Sequence, residues 1–231
     1  MNDTSAHSPR ADALEALLRE RHSCRGYRPE PVPTATIERI VAIAQRTASW
    51  CNSQPWQVHV AGGATTDALR EALGQHLASQ PAAQPDFAWP EAYLGVYLDR
   101  RRACGFQLYE AVGVQRGDRA GGERQGLENF RFFGAPHVAI VTTDAKLGVY
   151  GAIDCGAWVS AFMLAARALG VAAIAQAALA AYPDFWREAL GIGPDRRVVC
   201  GISFGYEDAA HPANGFRTPR AALDEVVRWI E

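Results

Sequence analysis

The segment SWCNSQPWQVHV, residues 49–60, joins a predicted helix to a predicted strand. The helix begins at Thr34, a favourable N-cap residue, and ends before Ser49. Its apolar residues recur with helical spacing, at Ile37, Ile40, Val41 and Ala44. Residues 56–60 then predict a short strand from their aromatic and β-branched content. The polar residues between these elements therefore form a loop at a helix–strand junction.

Loops at such junctions often carry ligand-binding groups. The side chains of Asn52 and Gln54 each offer hydrogen-bond donors and acceptors, which suits the uracil-like edge of a ligand ring. A capped turn between two packing tryptophans, Trp50 and Trp56, accounts for the same residues. On the loop alone, both interpretations stay open.

The rest of the chain favours helices over strands. Further helices are predicted over residues 12–20, 66–79, 91–114 with a break near Gly105, and 150–169, and in short segments at Pro183 and near Leu223. Further strands are predicted over residues 137–142, 171–175 and 198–204, and loops over residues 80–90 and the mobile, glycine-rich 117–126. No GxGxxG motif follows a strand, which disfavours a Rossmann domain. The pattern predicts an α+β fold with a small sheet flanked by helices.

Bulk properties narrow the class of protein. A length of 231 residues predicts one domain, over residues 11–231, after a disordered tail at residues 1–10. A net charge of −2 predicts neither a nucleic-acid partner nor a membrane partner. The apolar stretch of residues 151–166 is taken as too short to span a bilayer. The five cysteines include no pair with CxxC spacing, which predicts no disulfide framework and a reducing compartment, the cytoplasm. The histidines are isolated, so no metal site is predicted.

Two arginine clusters lie near opposite ends of the chain. Arg21 and Arg25 flank Ser23, a combination that can hold a phosphate through bidentate contacts and a hydroxyl. Arg217 and Arg220 follow a loop near the C-terminus. Taken separately, each cluster is also explained as a solvated surface segment, because exposed arginines are common.

Taken in order, these motifs resemble the nitroreductase family of FMN-dependent, NAD(P)H-oxidising flavoproteins. Residues 21–27 match that family's R-x-S-x-R-x-F/Y element, and residues 49–56 match its more specific S-x-x-N-x-Q-P-W element. Supporting matches lie at residues 133–136, 169–170, 175–177, 205–206 and 217–220. The resemblance spans roughly residues 12–229. It implies a small, mostly antiparallel sheet flanked by helices, in an interlocked homodimer with FMN at the subunit interface.

The resemblance also implies roles for individual residues. The FMN phosphate is expected at Arg21, Ser23 and Arg220, with Arg25 near N1/O2 of the isoalloxazine ring and the backbone N–H of Ala177 at N5. Ser49 and Asn52 are expected to reach the flavin of the partner subunit. Further cofactor contacts are expected from His22, Trp50, Gln54, Ala175, Gln176 and Arg217. No side chain is expected to react itself, because the flavin carries the redox chemistry. Trp50 stands where the family has a small residue, so the substrate pocket is expected to be narrower.

The implied activity is hydride transfer from NADH or NADPH through flavin N5 to a nitroaromatic or similar acceptor. One pocket used in turn by both substrates implies ping-pong kinetics. The middle of the chain, with Arg100, Phe106, Tyr109 and Asp118, looks most like the branch that acts on nitroaromatic acids. Alternatives are an enone or dehalogenating reductase, an oxidase on the same fold, and a non-catalytic flavin-binding protein.

Overall fold

The computed structural model describes residues 8–230, which form eight α-helices and four β-strands. The helices are α1 (Pro9–Glu20), α2 (Thr34–Ala44), α3 (Ala64–Ala78), α4 (Gly95–Ala111), α5 (Arg119–Leu127), α6 (Gly148–Ala168), α7 (Pro183–Leu190) and α8 (Leu223–Val226). The strands are β1 (Gln57–Gly62), β2 (His137–Asp144), β3 (Ala172–Gln176) and β4 (Arg196–Gly205). Short 3₁₀ turns and loops connect them.

The strands form one sheet in the order β1-β2-β4-β3, in which every neighbouring pair is antiparallel. The predicted α+β fold with a small, mostly antiparallel sheet is therefore confirmed. β2 is buried along its length except at Asp144, because helices pack on both faces of the sheet. β3 lies at an edge, where its outer side is open to the segment that follows α1.

The longest helix, α6, packs against one face of the sheet with α2 beside it. Trp158 and Phe162 are almost fully buried, and the Phe162 ring meets Phe204 of β4 edge-on at 5.4 Å. With the turn before it, this helix covers Ala145–Ala168 and is long and apolar enough to cross a bilayer. The helix extends beyond the apolar stretch of residues 151–166, and its packing against the sheet identifies α6 as a core helix.

The opposite face of the sheet is covered by α3 and α7. Leu73, Phe132 and Trp186 are at most 1% exposed and form the centre of this second core. The two cores leave the loops at the edge of β3, and the loop before β1, on the surface. Those loops carry the residues for which the sequence predicts a ligand site.

Two predictions about glycine-containing segments were wrong. α4 runs without a break through Gly105, since one glycine costs a helix only about 1 kcal/mol. The segment predicted to be mobile contains α5, whose N-cap residue Asp118 accepts a hydrogen bond from the Gly121 N–H at 2.8 Å. A good cap therefore starts a helix in a sequence whose composition suggests a loop.

Two predicted helix starts also differ. α2 is preceded by Pro33 as its N-cap residue, so Thr34 is the first helical residue and its side chain does not cap the helix. α1 begins at Pro9, a favourable first helical position for proline. The predicted tail at residues 1–10 thus overlaps α1 at its last two positions, and residues 1–7 lie outside the described part of the chain.

Candidate active site

A cavity of about 590 Å³ brings the two arginine clusters together. Its wall is formed by Glu15, Leu18, Arg19, Arg21, His22, Ser23, Arg25, Cys104, Phe216, Arg217, Thr218 and Arg220. Six of the predicted cofactor contacts therefore face one space, although the clusters are far apart in sequence. The volume is in the usual range for small-molecule sites.

Asn214 joins the two clusters. Its Oδ1 accepts the backbone N–H of Arg25 at 2.7 Å, and its Nδ2 donates to the carbonyl of Gly26 at 2.9 Å. The side chain is 3% exposed. The Cys24 N–H donates to the carbonyl of Ala173 on the open edge of β3 at 3.5 Å. The segment after α1 is thereby fixed to both the sheet and the C-terminal loop.

The cavity carries uncompensated positive charge. Glu15 is the only acidic residue of its wall among the described residues, and it is paired with Arg19. The remaining guanidinium groups of the wall form no ion pair within residues 8–230; they belong to Arg21, Arg25, Arg217 and Arg220. Burial lowers the pKa of Arg21, and the nearby charge of Arg220 lowers it further. An anion would relieve this crowding, so the cavity is suited to a phosphate.

His22 lies beside these arginines but has partners of its own. Its Nε2 is 3.1 Å from Oε1 of Glu207, and its Nδ1 is 3.2 Å from the carbonyl oxygen of Glu20. These contacts hold the ring between the end of α1 and the segment that follows β4. Its predicted role as a cofactor contact is compatible with its place in the wall.

Arg25 is the most enclosed cation of the group. Desolvation by burial lowers its pKa. Its guanidinium carbon lies 5.9 Å from the centre of the Phe133 ring, and its Nη1 donates to the carbonyl of Ser23 at 3.3 Å. Arg25 also lines a second cavity of about 690 Å³, which extends under the connection between α4 and α5. Its charge thus faces both spaces.

The end of β3 presents backbone to the surface. Ala175 and Ala177 are exposed, whereas Gln176 between them is 3% exposed. The Gln176 side chain turns inward and donates to the carbonyl of Asn129 at 2.9 Å. A ligand would therefore meet residue 176 through its backbone and not through its side chain.

The loop of residues 49–54 is not part of the arginine-lined cavity. Of the predicted contacts Ser49, Trp50, Asn52 and Gln54, none lines that cavity, and Gln54 lines a separate one of about 920 Å³ beside β1. Three residues of the loop have left-handed backbone angles, namely Cys51, Asn52 and Gln54. Such strain persists only where surrounding contacts hold it, and it is frequent at functional sites.

Those surrounding contacts come from α6 and from the loop itself. Asp154 accepts the Trp50 N–H through both carboxylate oxygens at 3.2 and 3.3 Å, and Ser49 Oγ accepts the Gln54 N–H at 2.9 Å. Trp50 is 60% exposed and packs edge-on against Tyr150, with ring centres 4.5 Å apart. Sequence reasoning gave Asp154 no role, although it is the single charged residue of the apolar stretch of residues 151–166, which was a usable signal.

A metal site has no support in the described structure. Within residues 8–230, no group of three or more His, Cys, Asp or Glu side chains is placed to hold a metal ion. All five cysteines are free thiols. Burial raises the pKa of the Cys24 thiol to about 11, so it carries no charge into the neighbouring cavity.

Known structures share this arrangement of sheet, central helix and edge loops. The crystal structure of the FMN-dependent nitroreductase NfnB from Mycobacterium smegmatis in complex with NADPH superposes with a TM-score of 0.91. That comparison covers 96% of this chain and 99% of the other, at 37% identity. The fold is thus that of the FMN-dependent reductases.

The family follows from the sequence comparisons. The nitroreductase family model matches residues 18–206, and the chain belongs to this family. Nitroreductase NfnB of Mycolicibacterium smegmatis is 38% identical over 95% of this chain and 93% of its own length. A 4-nitrobenzoate reductase of Nocardioides is 33% identical over 96% of this chain and 92% of its own length. The resemblance inferred from the motifs is confirmed.

Proposed function

We propose that the protein is an FMN-dependent oxidoreductase that transfers hydride from NAD(P)H to a nitroaromatic or similar small-molecule acceptor. The observation that carries this proposal is a cavity whose wall holds four arginines that form no ion pair within residues 8–230. The segment that supplies two of them is hydrogen-bonded to the edge of β3, the strand that ends just before Ala177. The similar reductases described above, FMN-dependent in one case and crystallised with NADPH, support the same cofactor and co-substrate.

The residues present fit FMN. The hydroxyl of Ser23 and the guanidinium groups of Arg21 and Arg220 would hold its phosphate, with Arg217 adding charge. Arg25 would stand beside the ring and compensate negative charge at N1/O2. Bound FMN would supply the hydride chemistry, accepting from the nicotinamide and donating to the acceptor. The chain would bind the cofactor, orient it and tune it electrostatically.

We also propose that the working unit is a homodimer. α6 exposes a row of large apolar side chains, Val149, Tyr150 and Ile153, each more than half exposed. Apolar surface of this kind on a core helix indicates an interface. Trp50 packs on the same face, so the loop of residues 49–54 would be carried across the interface to the partner's flavin. Ser49 and Asn52 would then complete the site.

The organisation and location follow from the same proposal. Residues 11–231 would form a single FMN-binding domain. Five free thiols fit a reducing compartment such as the cytoplasm.

The test of function is cofactor identification followed by anaerobic reduction. We expect the purified protein to release FMN, not FAD, at close to one per chain, and NADPH or NADH to bleach the bound flavin. Turnover is then measured with nitroaromatic, quinone, enone and haloaromatic acceptors. A flavin inert to both nicotinamides would indicate a binding protein or an oxidase, and a preference for enones or haloaromatics would indicate the other reductase classes. Protein that binds no flavin after reconstitution would contradict the proposal.

The test of the dimer uses an interface charge. We expect the wild type to sediment at twice the 25.0 kDa chain mass. Ile153→Arg should give monomers with reduced FMN content, because a buried unpaired charge opposes association. Ala189→Arg, at an exposed position of α7 outside this apolar face, is the matched control and should stay dimeric. A wild-type monomer that retains FMN would overturn the proposed assembly.

A further inference from the structure

Gln176 is the last residue of β3 and precedes a 3₁₀ turn that begins at Ala177. The first N–H groups of a helix have no partner inside the helix, and the preceding side chain often caps them. Here the Gln176 side chain makes no cap hydrogen bond. It is turned into the protein, so it does not cap the turn that begins at the exposed Ala177.

The inward side chain is held at both ends of its amide. Its Oε1 accepts a hydrogen bond from the Ser203 hydroxyl, and its Nε2 donates to Asn129, at 2.9 Å to the carbonyl and 3.3 Å to Oδ1. The carbonyl of Asn129 can only accept, which fixes the orientation of the amide. Ser203 is fully buried in β4, and Asn129 lies in the connection from α5 to β2.

We propose that Gln176 is a positioning residue, which holds the Ala177 N–H in place for the flavin. The inference rests on the proposed FMN site. Gln176 contacts no cofactor itself; it anchors the turn to the sheet through Ser203 and to the α5–β2 connection through Asn129. Because that connection also lines the second cavity, the same amide joins the turn to the wall of that cavity.

The hydrogen-bond pattern explains why an amide is needed. One end must accept from a hydroxyl, and the other must donate to a carbonyl. A methionine has a similar length and makes neither bond. A protonated glutamic acid can make both, whereas its carboxylate would face the Asn129 carbonyl and repel it. Burial raises the pKa of a carboxyl group, so the switch should fall within an accessible pH range.

Two titratable groups near Ser203, Tyr27 and Cys24, do not obscure this range. The Tyr27 hydroxyl donates to the carbonyl of Ser203 at 3.0 Å, and burial raises its pKa well above the ordinary value. The Tyr27 hydroxyl also donates to the backbone carbonyl of Cys24. Burial raises the pKa of the Cys24 thiol to about 11. Neither group should change charge between about pH 5 and pH 9.

The experiment compares Gln176→Glu and Gln176→Met with the wild type, all loaded with FMN. In Gln176→Glu, the rate of flavin reduction by NADPH, relative to wild type, should fall about tenfold as pH rises, as expected for losing one hydrogen bond. In Gln176→Met the loss should be similar but independent of pH. Hydrogen–deuterium exchange at the Ala177 amide should be faster in both variants, by at least about tenfold at high pH. That second readout does not depend on activity.

Two further variants separate positioning from general destabilisation. Ser203→Ala removes one of the two anchors and should give a smaller effect of the same kind, even if the Gln176 variants fold poorly. Thr66→Val removes a fully buried hydroxyl on α3 that has no hydrogen-bond partner among residues 8–230, and it should change neither readout. Wild-type rates and exchange in both Gln176 variants would overturn the inference and leave the proposed function intact. If NADPH does not reduce the flavin of the wild type, both the proposed function and this inference are contradicted.

Discussion

Replacing Arg21 with glutamine is expected to weaken FMN binding between about tenfold and 150-fold. This range corresponds to about 1.5–3 kcal/mol for a hydrogen bond to a charged group. Arg21 is part of the cavity wall and forms no ion pair within residues 8–230. Its pKa is lowered by burial and by Arg220. The phosphate would therefore lose a cation that has no competing partner. Binding is measured by titrating flavin-free protein with FMN.

Arg19 provides the matched control, because it lines the same cavity with its charge already paired to Glu15. Its side chain is 79% exposed, so Arg19→Gln should alter FMN affinity by less than about twofold. Added salt should weaken FMN binding more in wild type than in Arg21→Gln. If wild type and Arg21→Gln bind FMN with equal affinity, the N-terminal arginine cluster is a solvated surface segment and not a phosphate site.

Local patterns predicted most of the fold. The apolar spacing in α2 and the long apolar run of α6 gave these helices within a few residues, because a helix that packs on a sheet must repeat its apolar residues with the helical period. The errors at Gly105 and in α5 share one cause. Glycine content was taken as a helix breaker, whereas one glycine costs α4 only about 1 kcal/mol, and the Asp118 cap offsets the glycine content of α5.

The site was predictable as a set of motifs but not as a geometry. The motif order pointed to Arg21, Arg25 and Arg220, and the structure places them around one cavity. The role of Asn214, which joins the two clusters through its side chain, could not be assigned from the sequence. Its hydrogen bonds reach residues almost 190 positions away. Such long-range contacts depend on the sheet topology, which spacing along the chain does not encode.

Gln176 shows a second limit. Its position in the motif suggested contact with the cofactor, yet its side chain is committed to Ser203 and Asn129. In a strand, neighbouring side chains point to opposite faces, and only the structure decides which face of β3 is outward. The exposed positions are Ala175 and Ala177, where the chain offers backbone alone.

Replacing Arg25 with methionine is expected to lower the midpoint potential of bound FMN by at least about 30 mV, which equals about 1.4 kcal/mol for a two-electron couple. Arg25 is enclosed and has no carboxylate partner within residues 8–230, and burial lowers its pKa. A cation in such surroundings favours any neighbouring group that gains negative charge. Two-electron reduction places that charge at N1/O2 of the flavin. Methionine keeps much of the side-chain stem and removes the compensating charge.

Arg220→Met is the comparison that distinguishes the two arginine roles. A phosphate contact acts equally on oxidised and reduced flavin, because the phosphate charge does not change with redox state. Arg220→Met should therefore weaken FMN binding and leave the potential within error of wild type. Spectroelectrochemistry on flavin-saturated samples measures all three proteins. If Arg25→Met keeps the wild-type potential while its FMN affinity collapses, Arg25 is a phosphate ligand.

Linkage makes the Arg25 prediction checkable without an electrode. Reduction and binding form a closed cycle, so a change in potential must equal the change in the ratio of oxidised to reduced FMN affinities. A drop of about 30 mV requires that reduced FMN lose about ten times more affinity than oxidised FMN in Arg25→Met. The free protein supplies the physical reason. The Arg25 guanidinium is desolvated by burial before any ligand binds, so a neighbouring anion compensates the cost of burying its charge. Methionine has no charge to bury, so an anion beside it gains no such compensation. The selectivity for reduced flavin should therefore disappear with the charge, even though the cavity and its phosphate-binding arginines remain.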